Sequence, residues 1–328
     1  MTKSNVWMLA ILFLSFFVVS CDNTDDPEIN EAEVLIEWLE SNESPYGKYY
    51  VNTDMESYKT AEQLHGLLTA DKAYVIDIRK KADYDAGHIE GSVNLTEDEV
   101  SAHLDSEDLS AYSDVVIACT SGQTAAWLTC LLSLEGHKDI SSLKFGMCSW
   151  NEATASAWNS NINSDKITLF TSDVSEKAPE GDLPDLGTGK ETAQEIFDVR
   201  LDKMISDGFG AIAITVDQVY ANLDDYYIIN RWPTEYYLDP GHIDGAIQYT
   251  AKQDFKLDAD LKTLPTDKTI VVYCYTGQGS GNLVAYLSLV GYDAKTLKYG
   301  ANAMIHEDMP KSAWGTGMIK DYPLVSTK

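Results

Sequence analysis

The chain reads VVIACTSGQ at residues 115–123 and, 155 positions further on, IVVYCYTGQ at residues 270–278. Each stretch is an apolar run of strand length that ends in one cysteine, Cys119 or Cys274, followed by a turn that contains a glycine. Glycine adopts the left-handed backbone conformations that tight turns require. The pattern therefore predicts two buried strands, each of which delivers a cysteine to a turn at its carboxyl end, where α/β folds place reactive groups.

Other landmarks repeat in the same order and at nearly the same spacing. GHIEG at residues 87–91 returns as GHIDG at 241–245, and LKFG at 143–146 returns as LKYG at 297–300, in both cases after 154 residues. Solenoid repeats have periods of roughly 20–50 residues, so this spacing indicates a duplicated domain instead. A chain of 328 residues is long enough for two domains that each bury a core.

Both repeats alternate short apolar runs with helical stretches. In chain order, the predicted elements are helix 61–68, strand 74–78, strand 115–118, helix 124–134 ending at Gly136, helix 216–223, strand 226–229, strand 269–273 and helix 282–290 ending at Gly291. Short continuous apolar strands between helices indicate a mainly parallel sheet covered by helices on both faces. The predicted fold class is α/β, with two tandem domains of this kind.

The chain is strongly acidic, with 52 acidic and 24 basic residues and a formal charge of −28 at pH 7. The only arginines are Arg79, Arg200 and Arg231. Nucleic-acid phosphates are bound by clustered lysine and arginine, so this composition argues against a nucleic-acid partner. It also provides no long-range attraction for an anionic substrate, so any anion site has to be local.

The first 21 residues are predicted to be a targeting signal. Lys3 gives a positive start, residues 6–19 form an apolar run shorter than the about 20 residues of a membrane span, and VVSC at 18–21 resembles a bacterial lipobox. In such signals the cysteine is lipidated, so Cys21 is the expected membrane anchor; an ordinary signal peptide is the alternative. The expectation is an exported lipoprotein of the bacterial cell envelope, on the periplasmic side or at the cell surface.

Composition divides the rest of the chain into four segments. Residues 22–30 are predicted to be an acidic tether, 31–168 a first domain, 169–190 a linker rich in Ser, Asp, Glu, Pro and Gly, and 191–328 a second domain. The first domain is expected to open with an amphipathic stretch from Glu31 onward.

The two loop cysteines are placed where negative charge is favoured. The N–H groups of a tight turn that leads into a helix converge on one point and stabilise an anionic sulfur there. We therefore expect the pKa of each thiol to lie below the value of about 8.5 of a free cysteine. Cys130 is expected in the core, and the absence of a Cys-x-x-Cys pair argues against a zinc site or a thioredoxin-like motif.

Seven segments carry a resemblance to a known family. In the first repeat they are VIDIR at 75–79, YDAGHIEGS at 84–92, CTSGQTA at 119–125 and LKFG at 143–146. In the second they are GHIDGA at 241–246, CYTGQGS at 274–280 and LKYG at 297–300. Together they resemble a tandem-domain rhodanese, a sulfurtransferase, over most of both domains and in the order of that family.

The resemblance implies that Cys119, Cys274 or both attack a sulfane sulfur donor, become a persulfide and pass the sulfur to an acceptor. The implied donor is thiosulfate, a polysulfide or a persulfide, and the implied acceptor is a thiol or cyanide. The residues expected to cradle the persulfide are Thr120, Ser121, Gly122, Gln123, Thr124, Tyr275, Thr276, Gly277, Gln278 and Gly279. No cofactor and no metal ion are implied.

Four further residues near the site are expected to be structural: Asp77, Arg79, His88 and His242. The second repeat departs from the pattern of the first, since residues 230–232 read NRW where residues 77–79 read DIR. The aspartate is lost there, and the arginine is displaced by one position.

Three questions stay open at the level of sequence. The ranking of the two cysteines is one of them. The donor is another, because family members that use thiosulfate or mercaptopyruvate place a cation at or beside the loop, and neither loop here contains one. That weakens a thiosulfate assignment and favours polysulfide or a protein persulfide. Turnover is the third: the alternatives are a degenerate rhodanese that carries sulfur or docks a partner, and a redox sensor that pairs Cys119 with Cys148.

Overall fold

The computed structural model describes residues 29–48 and 50–327. The predicted targeting signal with Cys21, and the acidic tether up to residue 28, lie outside the described residues. Within the two described ranges, no helix combines the length and the apolar character that crossing a membrane requires.

The first half folds around a five-stranded sheet. Its helices and strands are, in chain order, α1 (Glu31–Leu39), β1 (Tyr58–Lys59), α2 (Ala61–Thr69), β2 (Ala73–Asp77), α3 (Lys81–Ala86), β3 (Val93–Asn94), α4 (Val100–Ser106), β4 (Asp114–Ala118), α5 (Gln123–Glu135), β5 (Ile140–Leu143) and α6 (Ser156–Asn159). The strands are parallel and lie in the order β1-β5-β4-β2-β3. Alternate residues face opposite layers: Ile76 and Ile117 pack with α5, and Val75 and Val116 pack with α2.

The second half repeats this architecture. Its elements are β6 (Phe170–Thr171), α7 (Ala193–Asp207), α8 (Phe209–Ile212), β7 (Ala213–Ile214), α9 (Val216–Ala221), β8 (Tyr226–Asn230), α10 (Thr234–Leu238), β9 (His242–Ile243), β10 (Ile247–Gln248), β11 (Thr269–Tyr273), α11 (Gln278–Leu289) and β12 (Ala294–Leu297). Five strands form a parallel sheet in the equivalent order β10-β8-β11-β12-β7, while β6 and β9 form a separate antiparallel pair. The predicted α/β fold with two tandem domains is confirmed.

The two domains meet along α5 and α11, which are buried on all sides. Their close approach depends on small residues at the start of α11, because a Cβ on Gly281 would stand 3.4 Å from the carbonyl oxygen of Gln123. Asn282 Nδ2 donates to the carbonyl of Ala126 at 2.9 Å across the same contact. This packing explains why α11 begins at Gln278, before the predicted start, despite two glycines that each cost a helix about 1 kcal/mol.

The first helix and the carboxyl-terminal segment each pack on the opposite half of the molecule. Helix α1 packs on α7 of the second half, with the ring centroids of Trp38 and Phe197 5.7 Å apart. The carboxyl-terminal segment returns to the first half, where Trp150 Nε1 donates to the carbonyl of Pro323 at 3.0 Å. Residues 169–190 run along the second half and contribute β6, which pairs with β9.

Glu40, directly after α1, makes the packing of this helix sensitive to pH. Burial raises the pKa of its carboxyl to about 7, and Asp258 adds to the rise although the N–H of Leu257 donates to Glu40 Oε1 at 3.1 Å. The folded protein therefore keeps a proton that the unfolded chain loses from about pH 4.5 upward. Ionisation of Glu40 in the unfolded chain thus lowers the free energy of unfolding as the pH rises towards 7.

Glu40→Gln keeps the hydrogen-bond acceptor without the charge. Because Glu40 is partly exposed, we expect the variant to gain only about 1–2 kcal/mol of unfolding free energy over the wild type between pH 5 and pH 8. Urea titrations at both pH values measure the difference. A difference that does not change with pH would contradict the assignment.

Candidate active site

Each loop cysteine lies at the carboxyl end of a central strand and precedes a buried helix. Cys119 follows β4 and leads towards α5, and Cys274 follows β11 and leads towards α11. Gly122 and Gly277, the last residues before the helices, have φ angles of +85° and +77°. Both turns therefore use a left-handed conformation that glycine adopts without strain.

Backbone N–H groups point at both sulfurs, and a hydroxyl adds to them at Cys274. Cys119 Sγ accepts hydrogen bonds from the N–H groups of Gly122 at 3.1 Å and Ala125 at 3.3 Å. Cys274 Sγ accepts from the N–H of Ser280 at 3.3 Å, and its thiol donates to Ser280 Oγ at 3.5 Å. Ser280 Oγ in turn lies 2.7 Å from Thr296 Oγ1. Cys274 thus has a hydroxyl partner where the equivalent residue of the first domain is Ala125.

The expected fall in thiol pKa is wrong for Cys119. Burial raises the pKa of this thiol, and the N–H groups of Ala125, Gly122 and Ser121 offset the rise only in part. The side chain is 5 % exposed, and removing a thiolate from water costs more than these dipoles return. A turn at a helix amino terminus is therefore not sufficient to make Cys119 a reactive thiolate.

The glutamine of each loop extends into the other domain. Gln123 Oε1 accepts from the N–H of Tyr299 at 2.7 Å, and Gln278 Oε1 accepts from the N–H of Phe145 at 3.0 Å. Gln278 Nε2 also donates to the carbonyl of Gly122 at 3.4 Å, so close that a Cβ on Gly122 would collide with it. These two side chains join the domains, and Gln123 Nε2 also donates to Ser121 Oγ at 3.0 Å within its own loop.

Two groups of the first domain hold the backbone of the first loop, while Thr120 itself is exposed. Trp158, which is fully buried, donates from Nε1 to the carbonyl of Ser121 at 3.0 Å. The N–H of Cys148 donates to the carbonyl of Thr120 at 3.2 Å. Thr124, the last of the predicted cradle residues of this loop, lies in the first turn of α5 and is half-buried.

The second loop borders a cavity of about 210 Å³ that is built from both domains. Its lining residues are Glu56, Tyr58, Lys144, Arg231, Trp232, Ala251, Cys274, Tyr275, Thr276, Gln278, Gly279 and Ser312. The ring of Tyr275 stacks on Trp232 with centroids 4.9 Å apart, and Thr276 Oγ1 accepts from the N–H of Gln278 at 3.4 Å. Four of the five predicted cradle residues of this loop therefore face the cavity together with Cys274.

Asp77 and Arg79 form a buried brace in the first domain. Arg79 Nη2 donates to Asp77 Oδ2 at 2.7 Å and to the carbonyl of Gly87 at 2.8 Å, which ties the end of β2 to the following turn. In the second domain Trp232 takes the place of the arginine, and the backbone N–H of Trp232 donates to Asn230 Oδ1 at 2.8 Å. The brace of the second domain is therefore uncharged.

Arg231 is the displaced arginine of the second repeat, and it lies beside Cys274. The strand registers make Asn230 equivalent to Asp77 and Arg231 equivalent to Ile78. Successive residues of a strand point to opposite faces, so a shift of one position turns the arginine from the brace towards the loop. The guanidinium packs so closely on the loop that a Cβ on Gly279 would collide with Arg231 Nη1.

The guanidinium of Arg231 is paired with a carboxylate from the first domain. Its Nη2 contacts Glu56 Oε1, and the two side chains are 5 % and 20 % exposed. Burial lowers the pKa of Arg231, but Glu56 more than offsets this effect, and the pKa is raised overall. The cations that are absent from the loops are thus supplied from other segments, by Arg231 and by Lys144 of the first domain.

Tyr58 adds a neutral hydrogen-bond donor to the same cavity. Its hydroxyl is buried and has no hydrogen-bond partner among the described residues. Burial, and then the charge of Glu56, raise the pKa of Tyr58 well above its ordinary value. The phenol therefore stays protonated at neutral pH and is available to a ligand in the cavity.

The equivalent positions around Cys119 are small or apolar. The registers of β1 and β7 make Tyr58 equivalent to Ala213, and hence Glu56 to Ala211. Ile78 stands in the place of Arg231. The two loops are similar in sequence and backbone, but the positions of Glu56 and Arg231 hold charged residues only at Cys274, whereas Lys144 has a counterpart in Lys298.

His88 and His242 occupy equivalent positions away from both sulfurs. Nδ1 of His88 lies 2.8 Å from the carbonyl of Tyr84, and the two rings stack at 3.7 Å. Nδ1 of His242 lies 2.7 Å from the carbonyl of Tyr237, with the rings 3.5 Å apart. This arrangement fixes the turn before the third strand of each sheet and is structural.

Comparison with known families decides the assignment of the two domains. Residues 60–153 and 215–307 each match the family described as Rhodanese-like domain, and together these segments make up more than half of the chain. The chain belongs to the rhodanese family. Each match covers four of the five strands of one parallel sheet and its cysteine loop, so the protein is a tandem rhodanese, as the seven sequence segments predict.

Curated relatives of this rhodanese match a stretch of about one domain. It is 28 % identical over 103 residues to thiosulfate sulfurtransferase GlpE of Shewanella oneidensis, which corresponds to 31 % of this chain and 100 % of that one. It is 30 % identical over 97 residues to thiosulfate sulfurtransferase GlpE of Pseudomonas fluorescens, or 29 % of this chain and 87 % of that one. A solved thiosulfate sulfurtransferase from Pseudomonas aeruginosa aligns with 87 % of this chain and 48 % of its own, at 15 % identity and a TM-score of 0.30.

The other two cysteines of the rhodanese domains are buried. Cys130 packs in the core around α5, and Cys148 lies beneath the first loop. Burial raises the pKa of Cys148 to about 11, and Cys119 adds to the rise. Cys119 and Cys148 are both free thiols in this structure, and the redox-sensor hypothesis, which predicts a disulfide between them under mild oxidation, stays a prediction. Among the residues that the structure describes, no group of three or more His, Cys, Asp and Glu side chains is arranged to hold a metal ion.

Proposed function

We propose that this tandem rhodanese is a sulfurtransferase that works through Cys274. The observation that carries the proposal is the cavity at Cys274, whose walls combine the loop with two cationic side chains, Arg231 and Lys144 of the first domain. Such a cavity suits a small sulfur-containing anion, because charge-assisted hydrogen bonds are strongest where water is largely excluded. Cys119 lacks equivalents of Arg231 and of the Ser280 hydroxyl, so we assign its loop to the domain interface.

The proposed reaction consists of two displacements at sulfur. The Cys274 thiolate attacks the outer sulfur of the donor and forms a new S–S bond. The bond between that sulfur and the rest of the donor breaks, and the leaving group takes the electron pair, as sulfite if the donor is thiosulfate. A thiol or cyanide then attacks the outer sulfur of the persulfide, and the electron pair of the S–S bond returns to Cys274 as thiolate.

The groups around Cys274 are suited to stabilise the anions of this cycle. The N–H of Ser280 and the amino terminus of α11 favour negative charge on the thiolate and on the persulfide. The hydroxyl of Ser280, held by Thr296, becomes a donor to the sulfur once the thiol proton has left. Lys144 and Tyr58 line the wall where the rest of the donor would lie.

The second candidate function is a rhodanese that carries sulfur or docks a partner without turnover. The observation in its favour is the burial of both loop cysteines, each of which is 5 % exposed. A carrier of this kind would accept a sulfur atom but would not release it to a small acceptor.

We also propose, from residues 1–21 alone, that the protein acts at the bacterial cell envelope as a lipoprotein anchored through Cys21. Support comes from the lipobox-like VVSC at residues 18–21. Membrane fractionation of the wild type and of Cys21→Ala tests this location, and equal release of both into the soluble fraction would refute it.

Persulfide formation is the experiment that tests the proposed function. The purified protein is incubated with thiosulfate and, separately, with polysulfide, and its intact mass is recorded before and after addition of cyanide. We expect an increase equal to one sulfur atom, which cyanide removes as thiocyanate. A protein that gains no sulfur from either donor would contradict the proposal, and one that gains sulfur but does not release it would favour the carrier.

A further inference from the structure

Glu56 crosses the domain boundary and forms part of the wall of the Cys274 cavity. Its Oε1 contacts Arg231 Nη2, and a Cβ on Gly279 would stand 3.3 Å from the same oxygen. The carboxylate therefore lies against the turn that would hold the persulfide. Glu56 has a φ of +78°, a conformation that is unfavourable for glutamate and is maintained by its surroundings.

The charges in this wall determine which negative charge on a donor the cavity can accommodate without repulsion. The charged side chains of the lining are Glu56, Arg231 and Lys144. Glu56 cancels the charge of Arg231, and the ammonium of Lys144, 5.5 Å from the ring centroid of Phe145, leaves one net positive charge. Thiosulfate is a dianion, whereas a hydropersulfide or an organic thiosulfonate is a monoanion. Only a monoanionic donor therefore matches the single net positive charge of the cavity wall.

We propose that Glu56 selects the charge of the donor at Cys274, an inference that rests on the proposed sulfur transfer. A monoanionic donor is preferred over thiosulfate, because the second charge of the dianion meets Glu56 and finds Arg231 already paired. One extra unit of charge about 6 Å from a carboxylate, at an effective dielectric constant of about 20, lowers the rate constant by about ten- to hundred-fold.

The first domain shows that the pair is a specific feature of the Cys274 site. At Cys119 the positions of Glu56 and Arg231 are occupied by Ala211 and Ile78, so both partners are absent together. The turn after each cysteine keeps the same backbone without them. The ion pair is therefore not needed to build the loop, although it sets the charge of the cavity.

The test compares thiosulfate with methanethiosulfonate, in which a methyl group replaces one anionic oxygen. In both cases the Cys274 thiolate takes the outer sulfur, and sulfite or methanesulfinate leaves with the electron pair, so the same persulfide forms. The second-order rate constant of persulfide formation at Cys274 is measured for each donor by peptide mass spectrometry of quenched samples. The ratio of the two constants cancels any change in the reactivity of the thiol.

Two isosteric pairs of residues separate charge from shape at position 56. One pair is the wild type and Glu56→Gln, and the other is Glu56→Asp and Glu56→Asn, which accept a positive φ more readily and guard against misfolding. Glu152→Gln, at an exposed position, makes the same change in net charge away from the site and is the control.

In each pair we expect the neutral member to raise the rate with thiosulfate, relative to methanethiosulfonate, by about ten-fold or more, whereas Glu152→Gln leaves the ratio unchanged. If the ratio of the two rate constants is unchanged in both pairs, the inference is overturned. An equal fall of the rate constants with both donors would overturn it too, since Glu56 would then only hold Arg231 in place. In either case persulfide formation by the wild type would still uphold the proposed function. Wild-type protein that forms no persulfide with these two donors or with polysulfide would refute the proposed function itself.

Discussion

Replacing Cys274 with serine is expected to lower the rate of sulfur transfer to cyanide by about 10³-fold or more, because it removes the nucleophile of a covalent mechanism. Cys119→Ser is expected to stay within about three-fold of the wild type. Serine is a poor nucleophile towards sulfur and forms no persulfide, so the first substitution removes the step and the second only changes an interface. Thiocyanate formation measures both effects.

The expected asymmetry follows from the surroundings of the two sulfurs. Burial raises the pKa of Cys119. The residues near Cys119 that are equivalent to Glu56 and Arg231 are uncharged. Cys274 contacts the hydroxyl of Ser280 and opens on the charged cavity. Thermal melts of both variants serve as the control for folding. Equal losses from the two substitutions would contradict the assignment of Cys119 to the domain interface.

Gln278→Ala and Gln123→Ala are each expected to lower the free energy of unfolding by about 2–4 kcal/mol. The side chains are 1 % and 2 % exposed, and each is the acceptor for a backbone N–H of the opposite domain. Alanine leaves that N–H, of Phe145 or of Tyr299, buried without a partner and opens a cavity beside the glycine of the facing loop. Urea titration monitored by tryptophan fluorescence measures the loss.

Gln253→Ala is the matched control for these substitutions. Gln253 is exposed, and its replacement is expected to change the unfolding free energy by less than about 0.5 kcal/mol. If the two interface variants lose no more than this control, the glutamines do not hold the domains together. Their side chains would then be available to the substrate, as the sequence-based prediction of the cradle supposes.

The central strands could be predicted from the sequence because their burial on both faces leaves a continuous apolar run. The strand β11 covers the predicted residues 269–273, and β4 extends the predicted 115–118 by one residue. The two loop glycines and the ends of the buried helices could also be predicted, because a positive φ restricts the choice of residue. The position of each cysteine after its strand follows from the same local signals.

The wall of the cavity could not be predicted, because it depends on contacts between distant segments. Glu56 and Arg231 are 175 residues apart, and no local pattern links them. The displacement of Arg231 is visible in the sequence, but its direction towards Cys274 depends on the register of β8 against β11. The pKa of Cys119 was predicted wrongly because the turn is a local feature, whereas burial of the sulfur depends on tertiary packing.

The most direct test of this account is to identify the cysteine that carries the transferred sulfur. The wild-type protein is treated briefly with a sulfane sulfur donor, quenched with an alkylating reagent and digested, and the peptides of Cys119 and Cys274 are compared by mass. We expect the additional sulfur on Cys274, with Cys119 recovered as the simple alkylated thiol. Sulfur found on Cys119 while Cys274 stays unmodified would contradict the account.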